Sequence, residues 1–200
     1  MSAFEDYVCE RAREGILSIP SKIAADIYAL SFYFWADEDD PRRAMLTVGY
    51  NTNARWQSCT PAPGQPPKWP IASSSEEAKW NFAFWLQEDG TAAVVGDTDA
   101  DGSAREEWIK SLECWFTDEE EDEDFDHTID LGNQIMSEFV NLCMRVAARL
   151  HNDGVVKSKF GRDVPVIIHE LEYYDQIVQA TEEANPPGLT KEFSDWIASM

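Results

Sequence analysis

The chain has 200 residues, of which 44% are hydrophobic and 12% aromatic, and its formal net charge at pH 7 is -22. This apolar content excludes an intrinsically disordered acidic protein, and the length suits one domain with a single core. The charge disfavours nucleic acid as a direct ligand, because the phosphates would be repelled.

The sequence predicts neither a membrane span nor a signal peptide. Its longest apolar run, Ile27–Ala36, is interrupted by Ser31 and is far shorter than the roughly 20 residues that a bilayer crossing needs. Residues 1–14 lack the basic and apolar regions of a signal peptide. The four cysteines form no C-x-x-C motif, which is typical of reduced thiols in the cytoplasm. We therefore expect a cytoplasmic protein, whose oligomeric state the sequence does not define.

In the first part of the chain, the residue pattern predicts two helices and two strands. Helical spacing of apolar residues indicates a helix over 3–17, and aromatic and β-branched runs indicate strands over 27–35 and 45–50. The short connector between these strands favours an antiparallel pair. A proline-rich loop at 57–72 follows, and aromatic residues at helical spacing then predict a helix over 76–87.

The second part begins with a short strand or turn at 94–96. A helix is expected over 103–116, followed by an acidic loop at 117–127. The longest predicted helix covers 128–152, with Ile129 in its inward-facing apolar stripe. Its expected end is at Gly154.

The last part of the chain predicts two strands and two helices. Strands are expected at 155–160 and 164–169, and a helix over 173–184. A final short helix begins after Thr190, which is a suitable N-cap residue. Helices and strands do not alternate regularly, so the predicted fold is a single α+β domain over 1–200, with an antiparallel sheet packed against several helices.

The strongest local feature is the concentration of negative charge. Residues 88–130 hold 17 acidic residues and only two basic ones. Such a block stays solvated and accelerates association with a cationic partner. Aromatic residues beside a charged rim are typical anchors of protein interfaces. The predicted partner-binding residues are Asp118, Glu119, Glu120, Glu121, Asp122, Glu123, Asp124, Trp108, Trp115 and Phe116.

Two further motifs suggest other functions. His169 and Glu170 follow an apolar strand, and a histidine there can act as a general base in a pocket lined by Trp80 and Tyr173. Adjacent strand residues point to opposite faces, however, which favours a structural histidine. No nucleotide-binding or hydrolase motif is present in the sequence.

A calcium site is the one cofactor alternative. Asp97, Asp99 and Asp101 precede Gly102 with the spacing of the first half of a calcium loop. The twelfth position, where such a loop has a bidentate glutamate, is Trp108. A solvated turn in which the aspartates bond their own backbone accounts for the same residues.

Four segments of the chain resemble an uncharacterised family of bacterial proteins. The segments are Leu46–Thr52, Glu77–Gln87, Pro165–Tyr174 and Asn185–Pro186. Some members of that family lie beside secreted toxins and are suspected to be their immunity proteins. The resemblance implies a bacterial protein with a protein partner, and it transfers no catalytic residue.

The charge and the resemblance together predict a protein-binding domain. We expect it to neutralise a basic toxin, such as a nuclease, by covering the cationic site of that toxin. The alternatives are an enzyme with a pocket around His169 and Glu170, or a module that binds calcium or a small molecule.

Overall fold

The computed structural model describes residues 2–64, 66, 68–96 and 98–200, except for the side chains of residues 99–101. The described residues form four strands and ten α-helices. The strands are β1 (Ile27–Ala36), β2 (Ala44–Thr52), β3 (Thr91–Val95) and β4 (Val166–His169). The helices are α1 (Ala3–Ser18), α2 (Ser21–Ala24), α3 (Asn53–Cys59), α4 (Ser75–Trp80), α5 (Asp99–Ser111), α6 (Asp118–Glu123), α7 (Phe125–Asn152), α8 (Val155–Phe160), α9 (Asp175–Ala184) and α10 (Lys191–Ile197). None of these described helices combines the length and apolar character that crossing a bilayer requires.

The four strands form one mixed sheet in the order β3-β2-β1-β4. The β1–β2 and β2–β3 pairs are antiparallel, whereas β4 lies parallel to β1, with Phe32 opposite Ile168. The α+β class and the β1–β2 pair are thus confirmed. The sheet is not wholly antiparallel. Helices α5 to α8 connect β3 to β4 and return the chain to the end of the sheet at which β1 begins, so that β4 runs parallel to β1.

One face of the sheet, the inner face, forms the main core. Side chains alternate along β1, so that Leu30, Phe32 and Phe34 are fully buried under α1 and α7. Helix α1 approaches β3 closely because residue 15 is glycine: a Cβ there would lie 2.7 Å from the Cβ of Ala93. The helical residues buried in this core include Phe4, Val8, Ala12, Ile16, Ile135, Phe139, Val146 and Leu150.

The opposite, outer face is covered over part of its area by an aromatic layer. Trp80, Trp85, Phe193 and Trp196 are buried there against Ile167 of β4. The ring of Trp80 meets that of Phe193 at 68°, and Tyr173 meets Trp196 at 87°, an edge-to-face arrangement that suits the aromatic quadrupole. The rest of the outer face, toward β2 and β3, is left open as a pocket.

The helix predicted over 76–87 is wrong beyond Trp80. Asn81 adopts an extended backbone, and its Oδ1 accepts a hydrogen bond from the amide of Ala83 at 3.0 Å. The hydroxyl of Tyr173 donates to the carbonyl of Trp80 at 2.9 Å. Because these bonds take up groups that would continue the helix, the chain instead forms a short 3-10 turn at Phe82–Phe84.

The acidic loop predicted at 117–127 is also wrong, because most of it is helical. The hydroxyl of Thr117 accepts from the amide of Glu120, and the carboxylate of Glu120 accepts from the amide of Thr117, which is a capping box. Acidic residues in the first turn of α6 are further stabilised by the helix dipole. Asp124 ends α6 and caps α7 by accepting from the amide of His127 at 3.2 Å.

Other predicted boundaries shift for local reasons. The strand predicted at 155–160 is helix α8, which lies between two glycines with positive φ, Gly154 and Gly161. Helix α5 ends at Ser111 rather than 116, and Glu113 beyond it has a φ of 61°.

The loop predicted at 57–72 begins later than expected, after the end of α3 at Cys59. Up to Ser74, the residues described there contain no further helix or strand. The hydroxyl of Thr190 makes no capping bond to α10, contrary to its predicted role.

Candidate functional site

Helix α6 and the first turns of α7 present a continuous acidic surface. Residues 117–130 contain nine acidic residues and no lysine or arginine. We define the acidic face by its exposed carboxylates, which are Asp118, Glu119, Glu120, Asp122, Glu123, Asp124, Asp126 and Asp130. The helical backbone holds these carboxylates in a fixed pattern, which a solvated loop would not do.

Arg42, from the turn between β1 and β2, joins this face to the sheet. Its guanidinium donates to Asp118 at 2.8 Å, to Glu121 at 3.4 Å and to the carbonyl of Phe116 at 3.2 Å. It also pairs with Asp40 at 2.9 Å and lies over the ring of Phe116. Hydrogen bonding to Asp40 is the main reason that the pKa of Arg42 is raised. The arginine therefore anchors α6 by several directed contacts.

Two apolar side chains stand out from the acidic face. Phe125 is 61% exposed and Ile129 is 44% exposed, one helical turn further along α7. The prediction that Ile129 faces inward is therefore wrong. Both residues line a groove of about 320 Å³ at the side of α7. Residue 132 in this groove is glycine, and a Cβ added there would lie 2.7 Å from the side chain of Pro41. The absence of a side chain at this position therefore lets α7 pack closely on the β1–β2 turn.

The aromatic anchors predicted from the sequence lie elsewhere. Trp108 is only 5% exposed and Phe116 only 3%, and the Trp108 ring packs on Phe4 of α1 with centroids 5.4 Å apart. Burial in the core removes both side chains from any partner surface, which corrects the prediction. Trp115 is half-buried, with Lys110 over its ring.

The second site is the open pocket on the outer face of the sheet, a cavity of about 550 Å³. It lies over β1 and β2 and is bordered by the irregular segment after α4. Its aromatic walls come from Tyr33, Trp35, Phe82 and Trp85, and its polar floor from Ser31, Thr47 and His169. Volumes of this size are typical of small-molecule sites.

His169 is buried at the floor of this pocket and bonded on both ring nitrogens. Its Nε2 lies 2.7 Å from the hydroxyl of Ser31, and its Nδ1 lies 3.3 Å from the carbonyl oxygen of Glu170. That carbonyl can only accept, so Nδ1 carries the proton and Nε2 accepts from Ser31. Burial lowers the pKa of His169 to about 4, which keeps the ring neutral at pH 7.

The predicted enzyme pocket differs from the observed one. Trp80 and Tyr173 belong to the aromatic layer, and among the described residues the lining does not include the Glu170 side chain. Burial is also the main reason that the pKa of Glu170 is raised. A histidine accepting from a serine is an arrangement found at activated nucleophiles. Ser31, however, lies within β1, which pairs on both sides, so its backbone offers no free amides to an oxyanion.

We expect His169 to make the stability of the protein sensitive to mild acid. Its pKa of about 4 in the folded state lies below the ordinary value of 6.5, so at pH 5 the unfolded chain binds a proton that the folded chain does not. Stability is then lost as the pH falls from 6.5 toward 4, by about 2 kcal/mol at pH 5. Denaturant unfolding of the wild type and of His169→Gln at pH 7.5 and 5 measures this loss of stability.

The exposed histidine His127 provides the matched control for this comparison. The His127→Gln variant should keep the wild-type loss of stability between the two pH values, whereas His169→Gln should lose about 2 kcal/mol less than the wild type. Equal losses in wild type and His169→Gln would show that this histidine does not govern the acid response.

The predicted calcium residues lie outside the part of the chain whose side chains are described. Asp97 is not described, and of Asp99 and Asp101 only the backbone is, at the start of helix α5. The calcium alternative therefore stays a prediction.

Comparison with known proteins identified no relatives. No protein-family model matches the chain, and neither the curated proteins nor the solved structures include a match. The resemblance to the family of suspected immunity proteins accordingly stays a prediction.

Several residues of the two sites were missed in the sequence. Phe125 and Ile129 were not predicted as anchors, because their exposure depends on how α7 lies against the β1–β2 turn. Ser31 is recognisable in the sequence, because it interrupts an otherwise apolar strand. No feature of the sequence indicates that it pairs with His169, 138 positions away.

Proposed function

We propose that the protein binds a basic protein through its acidic face, with Phe125 and Ile129 as the apolar anchors. The observation that carries this proposal is the pair of exposed apolar side chains set among eight exposed carboxylates. Isolated exposed apolar residues are ordinary, but an adjacent pair beside a groove and within a charged rim has the composition of a binding surface.

Charge defines the chemistry of the partner. The acidic face would attract a cationic surface over a distance of several ångström and would repel nucleic acid. Arg42 supports this role because it fixes α6 without neutralising the exposed carboxylates of Glu119, Asp122 and Glu123. A surface that is rigid before binding loses less conformational entropy on association.

Neutralisation of a basic toxin is the specific form of this function that we propose. A cationic site that binds the phosphates of a nucleic acid substrate would be blocked by an acidic face of fixed shape. The resemblance to suspected bacterial immunity proteins points in the same direction. The four free, buried cysteines suit the reducing cytoplasm of a bacterium, where such a protein would protect its own cell.

The test removes charge from the acidic face and measures the association rate. Glu119→Gln, Asp122→Asn and Glu123→Gln alter exposed side chains outside the capping box and the Arg42 contacts. With catalytically inactive basic nucleases of the source organism as binding partners, we expect association to slow by about 10-fold at low ionic strength. The difference should shrink near 0.5 M salt, where screening shortens to about 4 Å.

A matched variant separates local from overall charge. Glu76→Gln, Asp163→Asn and Glu172→Gln remove three exposed carboxylates elsewhere and change the net charge equally. Measured at about 0.1 M salt, these substitutions should leave the association rate within about twofold of the wild type, because at that ionic strength the field of a distant charge is screened over about 10 Å. Equal slowing by both triple variants would refute a dedicated acidic face, as would the absence of binding to every nuclease tested.

A further inference from the structure

Among the described residues, the pocket on the outer face of the sheet shares no lining residue with the acidic face, and the proposed function does not involve it. Its cavity of about 550 Å³ could enclose a molecule with one or two rings. Its lining is largely apolar and aromatic, and its polar side chains are Ser31, Thr47 and His169 on the floor together with Gln87, Glu88 and Thr91. A small number of polar groups in an apolar cavity is the usual composition of a site that orients a small ligand.

The floor presents a hydrogen-bond acceptor to the cavity. Because His169 Nε2 accepts the hydroxyl proton of Ser31, the lone pairs of Ser31 Oγ are available to a ligand. The hydrogen bond from His169 Nδ1 to the carbonyl of Glu170 maintains this direction. The ligand group that fits against Ser31 is therefore an N–H or O–H donor.

The aromatic rings that line the cavity favour a flat ligand ring. Tyr33, Phe82 and His169 lie nearly parallel, with interplanar angles of 18° to 30° and centroids 5.1 to 6.4 Å apart. Trp85 stands at 74° to His169, with the centroids 5.6 Å apart. A planar ring can thus lie along the parallel group and meet Trp85 edge to face, the two geometries that aromatic pairs prefer.

Charge restricts the ligand further. Glu88 is the one charged residue in the described lining, which contains no lysine or arginine. His169 is neutral at pH 7, so no positive group is present to balance an anion. A carboxylate or phosphate entering this cavity would lose its hydration without gaining a cationic partner.

We propose that this pocket binds a small aromatic molecule that carries no negative charge and donates one N–H or O–H hydrogen bond to Ser31. The proposal does not depend on the acidic face. The probes are indole, 1-methylindole, which lacks the donor, and indole-3-carboxylate, which carries a negative charge. Isothermal titration of the full chain should give a dissociation constant for indole below about 1 mM. We expect binding of 1-methylindole and of the carboxylate to be weaker by about 10-fold or more.

Two variants test the assigned contacts. Ser31→Ala should weaken the binding of indole by about 10-fold and leave the affinity for 1-methylindole unchanged, because only indole donates a hydrogen bond to the Ser31 oxygen. Val94→Trp, at the half-exposed rim of the cavity, should abolish binding of both by filling the space. The control Ser58→Ala, an exposed serine on α3, should bind indole like the wild type.

Measurements on the wild type alone test the proposal even if one variant does not fold. A dissociation constant for indole above about 1 mM would overturn the proposal, as would equal affinity for indole and 1-methylindole on the wild type. Stronger binding of indole-3-carboxylate than of indole would overturn the exclusion of anions. Retention of indole by folded Val94→Trp would show that the ligand occupies another site.

Discussion

Replacing Asn185 by alanine is expected to lower the free energy of unfolding by about 3–5 kcal/mol. The side chain amide of Asn185 pairs with the outer edge of β4: Oδ1 accepts from the amide of Val166 and Nδ2 donates to its carbonyl, both at 2.8 Å. The same amide donates to the carbonyl of Thr181 at 2.7 Å and contacts His151 Nε2 at 3.0 Å. Alanine would leave three buried backbone groups without partners, and each costs about 1–3 kcal/mol.

Denaturant unfolding followed by tryptophan fluorescence at pH 7.5 measures this effect. The control is Asn152→Ala, an exposed asparagine at the end of α7, which should change the free energy of unfolding by less than about 0.5 kcal/mol. Asn185→Asp keeps the shape but removes both donated hydrogen bonds and introduces a buried charge, so it should also destabilise strongly. A loss below about 1 kcal/mol for Asn185→Ala would mean that water replaces the amide at this edge.

Removing both apolar anchors of the acidic face should weaken partner binding by about 1,000-fold, since each central anchor contributes about 2 kcal/mol or more and every 1.4 kcal/mol is tenfold in affinity. The double variant Phe125→Ser and Ile129→Ser should fold normally, because both side chains are largely exposed. Surface plasmon resonance with the partner identified for the wild type should show that dissociation accelerates while association changes little.

This outcome is the reverse of that expected for the acidic variants, which should act mainly on association. Leu17→Ser, which changes an exposed leucine on α1, is the control for general loss of surface hydrophobicity. If the double variant dissociates at the wild-type rate, the anchors are not part of the interface. The acidic face would then act only by attracting the partner.

The strands could be predicted where the local pattern and the tertiary environment agree. β1 and β2 are rich in aromatic and β-branched residues and are separated by a short connector, which favours an antiparallel pair. No local signal distinguishes a parallel from an antiparallel neighbour for Val166–His169. That orientation depends on where α5 to α8 return the chain.

Errors in the predicted helices arise from individual polar groups. Trp80, Ala83 and Phe84 have helical spacing, but Asn81 and the distant Tyr173 supply bonds that end the helix. For α6, mutual repulsion of the carboxylates suggested a loop. Helix α6 nevertheless has the capping box of Thr117 and Glu120 and the contacts of Arg42, and the capping-box spacing was already present in the sequence.

The sequence predicted the negative charge of the candidate site, but it did not predict which apolar residues are exposed there as anchors. Consecutive acidic residues are exposed in almost any fold, because burying them without partners is prohibitively costly. Whether an aromatic residue is an anchor or part of the core depends on its neighbours. Trp108 is covered by α1, whereas Phe125 at the start of α7 has no helix above it among the described residues.

The parallel pairing of β4 with β1 has a consequence for synthesis of the protein. Ser31 and His169 face each other across this pair although 138 positions separate them, so β1 leaves the ribosome long before its neighbour exists. Until then one edge of an aromatic strand remains unpaired, and such edges promote association between nascent chains. Closing so distant a contact is also slow, so we expect folding to finish only after α9 has emerged.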